Sequence, residues 1–203
     1  LQIRPDSRGR LERFIAQNRL LVGPWYVQND FFLCDGESTV RNLMIGCEMA
    51  RSFSGGMKVG YAPDQFGIMG QLPQVLKGFG IDSLVFGRGY EFYDDSTVPG
   101  RVERPVEFLL EGPDGSRVLA VHMRYWYNNC QRFHEDIEAA VGQLRRMETL
   151  FDGLAATPYL LLMNGVDHFE AQENLLPILS AAQQRLDEED SGDRVLQMRL
   201  DEY

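Results

Sequence analysis

The 203-residue chain is poor in the residues that hold a fold together by covalent or metal bonds, with three cysteines and three histidines in all. Cys34, Cys47 and Cys130 are odd in number, far apart and never in a C-x-x-C pair, which excludes a disulfide framework and a thiolate zinc site. Reduced thiols of this kind suggest a cytoplasmic protein. No stretch approaches the roughly 20 apolar residues of a membrane span, and no signal-peptide pattern stands at the start. The chain opens at Leu1 without Met and stops two residues after Asp201, so it is expected to be cut from something longer. Positive charge is also scarce: 20 Lys and Arg stand against 30 Asp and Glu, for a net charge of −10. A nucleic acid or an anionic membrane would be repelled, and a neutral ligand fits better. Internal repeats and low-complexity tracts are absent.

What is present is an ordinary globular composition, 44% hydrophobic and 25% charged, enough for one core and short for two. Apolar residues alternate between helical and strand periods, the pattern of βαβ units. Leu11, Phe14 and Ile15 predict an opening helix, followed by a strand over 20–28. A helix starts at Glu37-Ser38 with Val40, Leu43, Met44 and Cys47 on its apolar face. A strand over 57–62, a short helix around Leu72, Val75 and Leu76, and a strand over 81–86 come next. Residues 108–110 and 118–123 read as a hairpin about the turn Asp114-Gly115, after a long loop over 90–105. Ile137, Ala140, Val141, Leu144, Met147 and Phe151 build the clearest amphipathic helix. A strand over 159–163, a helix over 171–185, a solvated acidic loop over 187–193 and a strand over 195–200 complete the chain. About five core strands are too few to close an eight-stranded barrel, so the fold class is α/β, part of a parallel barrel.

Loops that follow parallel strands meet at one edge, where such proteins bind ligands. Here they carry residues 25–30, 64–66, 88–90, 125–129 and 164–168. Carboxylates, a guanidinium, amides and aromatics suit a sugar, whose hydroxyls need polar partners and whose C–H faces pack on rings. Asp64 and Asp167 have the makings of a glycosidase pair, one attacking the anomeric carbon and the other protonating the leaving oxygen. Arg88 would keep a nearby carboxylate ionised. Taken singly, an Asp after Pro63 is more often a turn residue, and Tyr26 and Trp126 read as packing residues. Asp167-His168 is a weak metal signal, and His122 and His134 read as structural or exposed.

G-P-W-Y-V-Q at 23–28, D-G-E-S-T-V-R-N-L at 35–43, Y-A-P-D-Q-F-G at 61–67, Q-L-P-Q-V-L-K-G-F-G-I at 71–81 and F-G-R-G at 86–89 together resemble family 38 glycoside hydrolases, the alpha-mannosidases. M-R-Y-W-Y-N at 123–128 and N-G-V-D-H at 164–168 extend the resemblance over nearly the whole chain, on the side of the bacterial branch. It implies a seven-stranded catalytic α/β barrel, N-terminal in the family, of which residues 1–203 would be one fragment. It implies hydrolysis of terminal alpha-linked mannose with retention at a Zn2+ site. Asp64 would be nucleophile and zinc ligand, Asp167 the acid/base, Phe66 a sugar-stacking ring, Arg88 the partner of the carboxylates, and Tyr125 or Tyr127 a substrate contact. His168 stands where many relatives have Phe. The family's remaining ligands, an H-x-D pair on the first barrel strand and a second His beyond the acid/base region, are expected outside this chain.

The expected partner is therefore a mannose-containing oligosaccharide, with neither nucleic acid nor membrane, and a homo-oligomer is compatible with the composition. The fragment alone is expected to be inactive. A metal-dependent carbohydrate deacetylase and a non-catalytic carbohydrate-binding fragment are the rival readings.

Overall fold

The computed structural model describes residues 3–53, 55–90 and 105–203. Most of the loop expected over 90–105 lies outside the described residues. The chain divides into two compact units, one of residues 1–93, 108–122 and 199–203, the other of residues 94–107 and 123–198.

The first unit is built on a four-stranded sheet in the order β1-β2-β4-β3, from β1 (Gly60–Ala62), β2 (Ser83–Phe86), β3 (Glu107–Glu111) and β4 (Arg117–His122). Tyr61 pairs with Val85 and Val85 with Val121, both in parallel. The turn at 112–116 returns β3 to β4 as an antiparallel edge, closed by Gly112 N–H donating to Ser116 O at 2.8 Å. The central strand β2 is covered on both faces, hence its unbroken Leu84-Val85-Phe86 run. Leu84, Phe86, Ala120 and Val118 pack with Leu72 and Leu76 of α3 (Leu72–Gly78) and Leu43 of α2 (Gly36–Arg51) into one core. The short α1 (Arg8–Ala16) stands at the predicted place and buries Ile15.

Helix α2 begins where Asp35 accepts Ser38 N–H at 2.7 Å, an N-cap with Glu37 in the first turn. Its inward face is Thr39, Asn42, Leu43, Gly46 and Ala50, whereas Met44, expected inside, is 53% exposed. What α2 covers is the backbone of 23–27, and small or hydrogen-bonding residues are needed there. A Cβ on Gly46 would lie 2.2 Å from Pro24 O and 2.4 Å from Tyr26 N.

The second unit contains α4 (Ile137–Phe151), capped by Asp136 accepting Ala139 N–H at 2.8 Å, and α5 (Leu175–Glu188). The predicted face of α4 is the buried one: Ala140, Val141, Leu144, Met147 and Phe151. Helix α5 starts four residues later than expected and runs through part of the acidic loop. The Gln172 side chain is instead bonded to Phe133 N and O at 2.9 and 2.8 Å.

Three segments expected as strands, 20–28, 159–163 and 195–200, are not strands. In each, a side-chain amide takes backbone groups that a neighbouring strand would otherwise satisfy. Asn42 Oδ1 accepts Tyr26 and Val27 N–H at 2.8 and 3.0 Å, while its Nδ2 donates to Val27 O at 2.7 Å. Asn129 Oδ1 accepts Met163 N–H at 2.8 Å and its Nδ2 donates to Leu161 O at 3.1 Å. Gln183 Oε1 accepts Val195 N–H at 2.7 Å. The strand expected over 57–62 shortens to Gly60–Ala62, and that over 81–86 to Ser83–Phe86.

Candidate active site

Because β1 and β2 are parallel, Ala62 and Phe86 are paired at the same edge. Asp64 and Arg88 each follow two residues later, and this equal offset from a paired position brings the side chains together. Arg88 Nε lies 2.7 Å from Asp64 Oδ1, with the two side chains 38% and 42% exposed. An ion pair this open to solvent contributes about 0–1 kcal/mol to stability, so its consequence is positional. The Arg88 guanidinium carbon also stands 5.1 Å from the centroid of the Phe66 ring, which is 64% exposed and presents a flat apolar surface beside the carboxylate.

Both loops are held from below. Gly87 N–H donates to Ala62 O at 3.1 Å, and Gly87 O is 2.9 Å from Nε2 of the buried His122 at the end of β4. His122 sits among rings, 5.3 Å from Phe86 and 5.2 Å from Tyr90 between centroids, and Tyr90 stacks on Phe108 at 4.4 Å. The structural role read for His122 fits this packing. Gly89, with φ of +93°, passes so close to the first loop that a Cβ would be 2.8 Å from Ile68 N. From the other side Asp30 Oδ1 accepts Phe66 N–H at 2.7 Å.

Asp64, Phe66 and Arg88 are thus brought together, whereas Asp167, Tyr125 and Tyr127 belong to the second unit. Asp167 is exposed, in a turn followed by His168 at φ of +65°. Tyr125 donates its hydroxyl to Leu150 O at 3.0 Å and sets its ring 5.7 Å from Phe151, so it is anchored on α4. Tyr127 is half-buried, its ring 5.1 Å from that of Trp126. Sequence reasoning passed over Asp30 and Asn42. The available signal was an Asn on the inward stripe of a helix, a polar group that must find partners.

Residues 1–203 match the sequence profile of the glycosyl hydrolases family 38 N-terminal domain. The chain belongs to glycosyl hydrolase family 38. It is 36% identical over 198 residues to a putative mannosylglycerate hydrolase of Halalkalibacterium halodurans, covering 90% of this chain and 21% of that protein. It is 32% identical over 117 residues to alpha-mannosidase 2C1 of Mus musculus, covering 57% of this chain and 11% of that one. Among solved structures, an alpha-mannosidase from Enterococcus faecalis V583 superposes with a TM-score of 0.84 at 30% identity over 93% of this chain and 21% of its own. A second family 38 protein from Enterococcus faecalis gives 0.66 at 26% identity, over 91% of this chain and 18% of its own. The chain therefore spans about a fifth, or less, of the length of these family 38 relatives.

The family 38 resemblance implied zinc, and the described side chains do not make up a zinc site by themselves. Among the described residues no three His, Cys, Asp or Glu side chains gather in a way that could hold a metal, whereas a catalytic zinc takes about three protein ligands. One H-x-D spacing does occur, at His134 to Asp136, and sequence reasoning overlooked it. It is a helix start, since Asp136 caps α4.

Proposed function

We propose that this chain is one fragment of the N-terminal catalytic α/β barrel domain of a retaining glycoside hydrolase that removes terminal alpha-linked mannose. The observation that carries the proposal is the Asp64–Arg88 pair beside the exposed Phe66 ring, at the C-terminal edge of parallel strands. The relatives' names agree on a mannosyl group: one puts it on glycerate, and the alpha-mannosidase names leave the group it is attached to unstated. The mannose ring would rest on Phe66, with Tyr125 or Tyr127 among its further contacts.

In the reaction, an Asp64 oxygen attacks the anomeric carbon as the glycosidic C–O bond breaks, and Asp167 gives its proton to the departing oxygen. The ester formed on Asp64 is then cleaved by water, whose proton Asp167 takes up. Two displacements restore the original anomeric configuration and both carboxyl groups. Arg88 fixes the direction in which Asp64 presents its oxygens. A zinc ion would draw only Asp64 from the described residues and its other ligands from the rest of the protein. The cytoplasm is the compartment consistent with three unpaired thiols.

Turnover of aryl alpha-mannosides by the full-length protein tests the assignment. Asp64→Ala is expected to abolish turnover with every leaving group. Asp167→Ala is expected to lose about 100-fold or more with poor leaving groups and to recover with activated ones, which depart without a proton. Equal impairment of Asp167→Ala across leaving groups would remove it as the acid, and near-normal activity in Asp64→Ala would remove the nucleophile.

A further inference from the structure

Residues 25–32, which begin under α2, meet β1 and the Asp64 loop at four points. Trp25 Nε1–H donates to Tyr61 O at 2.8 Å, Gln65 Nε2–H donates to Gln28 Oε1, and Phe66 N–H donates to Asp30 Oδ1 at 2.7 Å. The Phe32 ring occupies the space beside Gly67, where a Cβ would come within 2.6 Å of Phe32 Cε2. Of the four, the Asp30 contact alone places a formal charge on a backbone N–H, making it the strong bond of the set. It fixes the peptide between Gln65 and Phe66, one residue beyond the peptide that follows Asp64, and so restrains the loop from which the Asp64 carboxylate projects.

Asp30 is itself immobilised. Its carbonyl accepts Leu33 and Cys34 N–H at 3.2 and 3.1 Å. The residue before it is bonded through Asn29 Oδ1 to Asn42 Nδ2 at 2.8 Å, and Asn42 reaches from α2 to Tyr26 and Val27 as well. A rigid path thus runs from the α2 helix through Asn42, residues 26–30 and the Asp30 carboxylate to the loop that carries Asp64. Arg88 then holds the Asp64 side chain from the neighbouring strand's exit at the same edge.

We propose that Asp30 is a positioning residue for Asp64: its carboxylate, by accepting Phe66 N–H, sets the attack geometry of the nucleophile without touching substrate. The proposal rests on reading Asp64 as the nucleophile. Positional errors of about 1 Å at a reacting atom cost on the order of 100-fold in rate, which sets the scale of the expected effect.

The experiment compares wild type, Asp30→Ala and Asp30→Asn in the full-length protein. It measures kcat and KM on an activated aryl alpha-mannoside, the thermal midpoint, and hydrogen exchange of the peptide bearing the Phe66 amide. Asparagine keeps an acceptor oxygen at the same reach, whereas alanine removes it. Asp30→Ala is expected to lose about 10- to 100-fold in kcat with KM within about 3-fold, and to exchange faster at Phe66. Asp30→Asn is expected to regain most of the kcat and the slow exchange. Unchanged kcat in Asp30→Ala, unchanged exchange at Phe66, or an Asp30→Asn protein as impaired as Asp30→Ala would overturn the proposal. Should Asp30→Ala fail to fold, the Asp30→Asn values decide. An inactive wild type would overturn the mannosidase reading, and exchange at Phe66 would still show whether Asp30 holds the loop.

Discussion

Asp64 meets Arg88 at 2.7 Å in partial contact with water, a setting that keeps a carboxylate available to a ligand. The cysteines show what burial does to a reactive group. Cys130 is fully buried, and desolvation pushes its thiol up to about 11 against a hydrogen bond with Gln143 that acts the other way. Cys34 is exposed. The thiolate is the reacting form, so at pH 8 a disulfide reagent is expected to label Cys34 rapidly and leave Cys130 unmodified until the chain unfolds. Because burial raises the Cys130 value, its thiolate appears only as pH climbs towards 11, so raising the pH to 9 should not expose it. Peptide mapping after timed labelling checks this, and fast modification of native Cys130 would contradict the packing around α4.

At the scale of elements, α2 and the segment it covers decide the geometry of the site. Gly46 allows the backbone of 24–26 to lie against the helix, and a methyl group there meets backbone atoms at 2.2–2.4 Å that cannot swing aside. Gly46→Ala is expected to destabilise the protein by about 1–3 kcal/mol or more, despite the better helix propensity of alanine. Denaturant unfolding measures it, and a stabilised variant would show that the helix and loop are not in this contact. The same contact explains which elements were legible in the sequence. The hairpin at 107–122 and helix α4 follow from an Asp-Gly turn and a 3.6-residue period, both local signals. The face of α2 and the segments 20–28, 159–163 and 195–200 were misread because Asn42, Asn129 and Gln183 take over hydrogen bonds from residues far along the chain. An apolar run in a loop bound by a distant amide has the same periodicity as one in a ladder. The meeting of Asp64 and Arg88 was legible because equal offsets after two parallel strands bring side chains together. Asp30 was not, since nothing adjacent to it in sequence records the Phe66 amide it serves.

For the whole molecule, the sheet edge presents the Asp64 carboxylate and the Phe66 ring, each in contact with the Arg88 guanidinium, and the chain spans about a fifth of its family 38 relatives. The account stands on Asp64 forming a covalent bond to mannose in the full-length protein. Acid quenching of that protein during turnover of an activated alpha-mannoside, followed by digestion and mass spectrometry, reads the bond directly. One mannosyl group esterified to the peptide containing Asp64, absent from the Asp64→Ala protein, is the predicted result. A mannosyl group on a different side chain, or beta-mannose as the first product released without any adduct, would contradict it.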